Sequence, residues 1–433
     1  MRVLLYVWAS AIAGLGTVAR AQQSGDSLRL RDATTAALNA DPRQRQIALQ
    51  ASASDLRVRS ILATRLPQMT GNGQAQYQST VTRLAVPLPG ITIPSPSRDT
   101  YDAHVNAQES IFDPTLSSKQ SLERAQLAES QASVRTTVFG RRQEVNDAFF
   151  AAATLEQRIG EIGLAITDLE SRLKEAATRF REGAALPSDT AVVAATLLQR
   201  RQELYQARAD RSAALARLSD LTGRQVSQST TPVVPNLDAA VTAAIGRLDQ
   251  VRSRPEYEQF GATRERLAKQ EQLSAAQDKP RVSAFGRLGY GRPGLNVLSS
   301  SFDSYWLAGV QVQWSPWTWG TTDRDRQSLE IQREIVSTNE AAFTEALHRG
   351  IQQAIATIAG LDSSLVLDDQ IVALRERIEG ETRVKLNEGV VTAAEYADRS
   401  TDVLTARLAR IQHRVQRVQA QANLLTTLGV EVP

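Results

Sequence analysis

The sequence predicts a mainly helical protein with a membrane β-barrel portion, built from one helix–strand–strand–long helix–helix unit used twice. Three observations carry this. Phe180-Arg181-Glu182-Gly183 precedes Leu221-Thr222-Gly223, and Leu386-Asn387-Glu388-Gly389 precedes Thr427-Leu428-Gly429. The spacing is 40 residues from glycine to glycine in each, with 206 between the copies. Asp41-Pro42 and Leu66-Pro67 recur as Arg254-Pro255 and Lys279-Pro280 at an offset of 213. A chain that repeats itself at about half its length is one structural unit built twice. Each half also holds two segments that alternate with period two, followed by a long stretch without proline.

The N-terminus reads as a secretory signal over residues 1–21. Arg2 is followed by an apolar run from Leu4 to Val18 and then by Ala19-Arg20-Ala21, an A-x-A cleavage pattern. The first repeat is then 22–235 and the second 236–433. Beyond the signal no apolar run approaches the roughly 20 residues that cross a bilayer as a helix. The chain has no cysteine, which excludes disulfides, thiolate metal sites and a lipidated N-terminal cysteine. A net charge of +3 with both signs intermixed offers no basic face for nucleic acid.

The elements follow in order. Ser27 is placed to cap a short helix ending near Asn39. Pro42 suits the first turn of a second helix, which runs to about Arg65 and stops before Pro67. Strands are expected at about 68–82 and 100–112, around a Pro-rich loop. In the first, Thr70, Asn72, Gln74 and Gln76 oppose Met69, Gly71, Gly73 and Ala75. In the second, Tyr101, Ala103, Val105 and Ala107 oppose Asp102, His104, Asn106 and Gln108. The second half repeats this at about 281–291 and 303–315, where Trp306, Ala308, Val310, Val312 and Trp314 share one face. Period two identifies strands, and an apolar face flanked by aromatics fits a barrel wall in lipid. An ordinary soluble hairpin is the alternative for either pair alone.

Long helices are expected at about 115–182 and 321–388, each on the order of 100 Å, with partners at about 188–223 and 392–428. Leu404, Leu408, Ile411, Val415, Val418, Ala422 and Leu425 step by four and three, the spacing of a coiled coil. Arg211 interrupts the matching seam of the first half. A narrow seam buries only part of each helix, so lateral association with further copies is expected. Gly140, Gly160, Gly163, Gly350 and Gly360 are the places where these helices could bend.

These features together resemble the TolC-type outer membrane factors, the outer membrane efflux protein family. The resemblance covers essentially the whole mature chain. It rests on Asn39-Ala40-Asp41-Pro42, Leu66-Pro67, Ser110-Ile111-Phe112-Asp113, the two Glu-Gly turns and the closing Leu-Thr-Gly and Leu-Gly. It implies a homotrimer in which each subunit lends four strands to one outer membrane β-barrel, continued by an α-helical coiled-coil tunnel across the periplasm. It further implies an exit duct of a tripartite efflux pump or type I secretion system, with a periplasmic adaptor and an inner-membrane transporter as partners. Physics agrees on the assembly, because two hairpins alone would leave unpaired backbone in lipid. A periplasmic coiled-coil adaptor or scaffold is the alternative.

Three sets of residues could carry function. The first is the pair of hairpin tips, Glu182, Gly183 and Ala184 with Glu388, Gly389 and Val390. Left-handed helix ends explain the glycines, and the resemblance implies adaptor docking there. The second is the acidic pair Glu395 and Asp398, one helical turn apart. It suits a solvated helix face, or, as the resemblance implies, carboxylate rings at a gated pore entrance; Asp189 stands at the matching offset in the first repeat. Some family members latch this entrance with a tyrosine and an arginine where this chain has Leu386 and Val391, leaving Arg383, Lys385 or Arg399 as candidates. The third is the aromatic set Trp314, Trp317, Trp319 and Phe112 at the ends of strands, suited to a membrane interface or to packing at the junction. His104, His348 and His413 lack metal-ligand spacing, and there is neither a P-loop nor a nucleophile elbow. No enzyme and no cofactor are expected.

Overall fold

Alternating segments form strands and proline-free ones form helices, in the order the sequence sets them out. The computed structural model describes residues 27–81, 96–183, 186–246, 253–296 and 299–433. The expected signal at 1–21, Ala184 and most of the Pro-rich loop lie outside the described residues.

Ser27 does not cap a helix. It opens a short strand, β1 (Ser27–Arg29), which pairs in parallel with β4 (Thr231–Val233). Three residues are too few to show a period, so neither strand was visible in the sequence. Helix α1 (Leu30–Ala40) starts from Arg29 without a side-chain cap. Helix α2 (Gln44–Ala63) leads to β2 (Gln68–Tyr77) and β3 (Asp99–Phe112). The Asp41 carboxylate, wholly buried, turns the corner between α1 and α2. It accepts from Arg43 Nη2 at 2.6 Å and from Arg141 Nε at 3.0 Å. The hydrogen bonds from Arg43 hold its carboxyl far below the usual range against the opposing effect of burial.

The helix expected over 115–182 is interrupted at Gly140, giving α3 (Thr115–Phe139) and α4 (Arg141–Arg181). Gly160 and Gly163 sit inside α4 without breaking it. Helix α5 (Pro187–Thr222) carries proline in its first turn, where the missing N–H costs nothing. Then come α6 (Asp238–Ile245) and α7 (Pro255–Gln277), followed by β5 (Arg281–Arg292) and β6 (Asp303–Gln313). Helix α8 (Thr321–Asn387) runs 67 residues through Gly350 and Gly360, about 100 Å at 1.5 Å per residue. Helix α9 (Ala393–Thr427) returns along it.

The four long strands form one antiparallel sheet in the order β2–β3–β5–β6. Asn72 stands opposite His104, His104 opposite Gly289, and Gly289 opposite Tyr305. That register sorts the sheet into two faces. One carries Met69, Tyr77, Tyr101, Val105, Leu288, Tyr290, Trp306, Val310 and Val312, all exposed, Trp306 to 72%. The other carries Gln, Asn and Thr side chains with Asp102, His104 and Arg287. Phe285 and Arg287 fall on this polar face, where Arg287 Nε donates to Asn106 Oδ1 at 2.7 Å.

Helix packing separates two cores. Around the β1–β4 ribbon, α1, α4, α5, α6, α8 and α9 bury Leu30, Phe149, Phe150, Leu215, Leu218, Val415 and Leu425. Phe149 and Phe150 meet edge to face at 5.4 Å. Arg211, the interruption in the first coiled-coil seam, pairs with Glu156 and donates to the Gln228 and Thr230 carbonyls at 2.9 Å. It ties α5 to α4 and to the segment before β4. A second, smaller core lies toward the hairpin ends, with Ile162, Ile166, Leu169, Val193, Leu197 and Ala393.

Candidate functional site: the helix-hairpin tips

Helix α8 ends in a Schellman motif. Val390 N–H donates to the Lys385 carbonyl at 2.8 Å and Gly389 N–H to the Leu386 carbonyl at 3.1 Å. That closure needs a residue with positive φ, and Gly389 has φ +75°. Gly183 has the same φ at the end of α4. Glu182, Glu388 and Val390 are exposed around these turns, Val390 to 69%.

The return helices are capped by their own side chains. Thr392 Oγ1 accepts from Glu395 N–H at 3.2 Å, and the Asp189 carboxylate accepts from Leu186 N–H at 3.1 Å. Asp189 is thus engaged locally. Glu395 and Asp398 point away from the chain on one exposed face of α9, and their carboxylates have no partner among the described residues. Of the three latch candidates, Arg399 reaches Asp402 at 3.6 Å, within its own helix. Arg383 and Lys385 form no ion pair among the described residues.

The two hairpins are joined by residues that sequence reading missed. Arg179 of α4 donates to the Leu386 carbonyl at 3.0 Å and to Asn387 Oδ1 at 3.3 Å, bonding the last turn of α8. Seven residues past Gly389, Tyr396 is buried, and its hydroxyl donates to Asp168 Oδ2 of α4 at 2.9 Å. Arg172 lies over the Tyr396 ring at 5.4 Å and faces Asp168 at 3.6 Å and Glu175 at 2.9 Å. Burial, with the carboxylates of Glu379 and Asp168 nearby, pushes the phenol well above its usual range, so it remains a donor. Arg172, Glu175, Arg179 and Tyr396, with Gly389 and Val390 of the second tip, line a cleft of about 250 Å³. The one signal in the sequence was that α9's apolar seam extends back from Leu404 through Ala397 to Ala393, beside Tyr396.

At the other end of the long helices the aromatics gather at the sheet. Trp314 Nε1 donates to the Asp278 carbonyl at 3.0 Å. Trp317 and Trp319 meet edge to face at 5.6 Å, and both are more than 70% exposed. Phe112 is 52% exposed beside a bulge in β3. Trp319 has φ 52°, an uncommon conformation for a bulky residue. At the far end of the sheet Phe302 stacks on Tyr290 at 5.6 Å and lies tilted against Tyr101 at 6.0 Å, with Tyr77 also exposed. This second aromatic cluster was missed because Phe302 lies just outside a strand.

No family model matches the chain, and no curated protein is significantly similar to it. Solved structures do resemble it. A structure of CusC, described with transmembrane channel formation, superposes with a TM-score of 0.70 at 14% identity, covering 93% of this chain and 92% of that one. The outer membrane protein VceC of Vibrio cholerae gives 0.66 at 15%, covering 93% and 96%. The outer membrane channel MtrE of Neisseria gonorrhoeae, in its open state, gives 0.66 at 16%, covering 93% and 89%. This chain shares the fold of these outer membrane proteins. In this channel fold the exposed sheet and the paired hairpin tips are the two ends of one elongated body. No helix among the described residues is long and apolar enough to cross a membrane, and no group of side chains among them could hold a metal ion.

Proposed function

We propose that the chain is one subunit of a passive exit duct in the Gram-negative outer membrane, serving a tripartite efflux pump or type I secretion system. The observation that carries this is the four-stranded sheet. Among the described residues nothing covers its apolar face, aromatics stand at both ends, and its outer strands β2 and β6 are unpaired on one side. Such a face belongs in lipid, and such edges must be closed by further strands. Three copies of a duplicated unit close a barrel, and the long helices continue it into the periplasm.

The helices support the trimer. On α8, Leu367, Ile371, Leu374 and Ile378 step by four, three and four, and are 40–58% exposed. Asp368 and Val372, one turn apart on another face of the same helix, are buried. A second heptad seam with no partner among the described residues fits lateral contact with another copy. A periplasmic adaptor or scaffold would leave the apolar sheet unexplained. The channel fold of the similar structures fits a protein that is not an enzyme.

The tips, Glu182 to Ala184 and Glu388 to Val390, are the docking surface for a periplasmic adaptor that links the duct to an inner-membrane transporter. Glu395 and Asp398 form carboxylate rings at the entrance, with Asp189 bordering the cleft beside the second tip. Arg179 and the Tyr396–Asp168–Arg172 group take the place of a tyrosine–arginine latch, and adaptor binding favours the state in which they part. In bilayer recordings, Glu395→Ala with Asp398→Ala should lower the preference for cations. Unchanged selectivity would remove both residues from the gate.

A further inference from the structure

On the polar face of the sheet, two aromatic rings lie across glycines of the neighbouring strand. Tyr305 of β6 faces Gly289 of β5, and its phenol passes over that glycine to donate to Asp102 Oδ1 of β3 at 2.5 Å. Asp102 Oδ2 in turn meets His104 Nδ1 at 2.5 Å. A Cβ at Gly289 would overlap the tip of the Tyr305 ring. Phe285 of β5 leans the other way, and a Cβ at Gly309 of β6 would come within 2.9 Å of its ring. At Gly291 a Cβ would meet the Tyr101 carbonyl at 2.8 Å and Asp102 Oδ1 at 3.0 Å. Strands sit about 4.8 Å apart, so a ring can reach two strands over only where the strand between lacks a side chain. On the opposite face Gly286 has open space, its nearest neighbour being the Leu307 carbonyl at 4.0 Å.

We propose that Gly289 and Gly309 set the bore of the barrel. By giving the Tyr305 and Phe285 rings room to lie flat on the luminal wall, they fix the size of cargo that leaves. The proposal rests on the duct reading, which turns this polar face inward. A methyl group at Gly289 displaces only the free end of a side chain, so the strand keeps its pairing and the ring swings off the wall into the lumen. Three subunits would project three such rings at one level. Pore diameter then limits passage at that level.

The test is polymer exclusion in planar bilayers, with polyethylene glycols of graded size added only on the barrel side. This reads the barrel separately from the periplasmic entrance. Gly289→Ala should lose the largest polymers that the native barrel admits, and Gly286→Ala should not. Tyr305→Ala alone should leave the limit near native, because a flat ring takes little of the bore. Gly289→Ala combined with Tyr305→Ala should restore the native limit. A trimeric Gly289→Ala with a native limit, or a Tyr305→Ala that clearly widens it, overturns the proposal. A native chain that forms no channel fails the duct reading itself, before any variant is compared.

Discussion

Single residues at the corners and tips hold this molecule in register. Asp41 is the clearest, a buried carboxylate shared by two arginines that are themselves only about 30% exposed. Asp41→Ala should cost about 2–3 kcal/mol, less than the loss of a fully buried pair because the arginines keep some water. A lower melting temperature without a change of helix content would show it. Because the carboxyl is depressed in the folded state, its contribution is complete above about pH 4. It is lost as the pH falls through the lowered folded value. In Asp41→Ala the difference from native should therefore shrink in acid. At the tips, Gly389→Ala meets no neighbouring atom but must hold positive φ, at about 1–2 kcal/mol. Tyr396→Phe removes the bond to Asp168, worth about 1 kcal/mol. On the duct reading it should raise resting conductance, and Arg179→Ala should do the same. Native conductance in both would leave the hairpin bonds without a role in closure.

At the scale of elements, the sequence was legible wherever a period repeats often enough to be seen. Clean alternation over eight or more residues marked β2, β3 and β6, while β5 alternates less cleanly and left the faces of Phe285 and Arg287 open; the step of four and three marked α9, whose seam is buried at Ile411, Val415, Val418, Ala422 and Leu425. What lacked a period was hidden. Ser27–Arg29 forms a strand because Thr231–Val233 lies beside it, a contact about 200 residues away that no local pattern encodes. Tyr396 and Arg172 meet because two hairpins pack together, and each alone looks like an ordinary helix residue. Of the five glycines singled out as possible bends in the long helices only Gly140 interrupts one, and it lies one residue before Arg141, which binds Asp41. The others stay helical, since an isolated glycine costs only about 1 kcal/mol in a helix. The unpartnered seam of α8 makes its own prediction. Ile371→Glu with Leu374→Glu should leave helix content by circular dichroism intact and abolish the trimer in light scattering. A trimer that survives both charges would place the subunit contact elsewhere.

The whole molecule has a lipid-suited sheet at one end, hairpin tips at the other, and about 100 Å of helix between them. Light scattering on the detergent-extracted protein, corrected for bound detergent, should give three times the mass of one mature chain, and a monomer would overturn the shared barrel. The free edges of β2 and β6 carry this into heredity. On the duct reading no copy finishes its own wall, so every assembly inherits the worst of its members. A chain whose β6 edge is blocked should poison the sound chains it joins, and export should drop when it is expressed beside the native gene. Loss of function through that edge is then a dominant trait, whereas loss through misfolding before assembly is recessive.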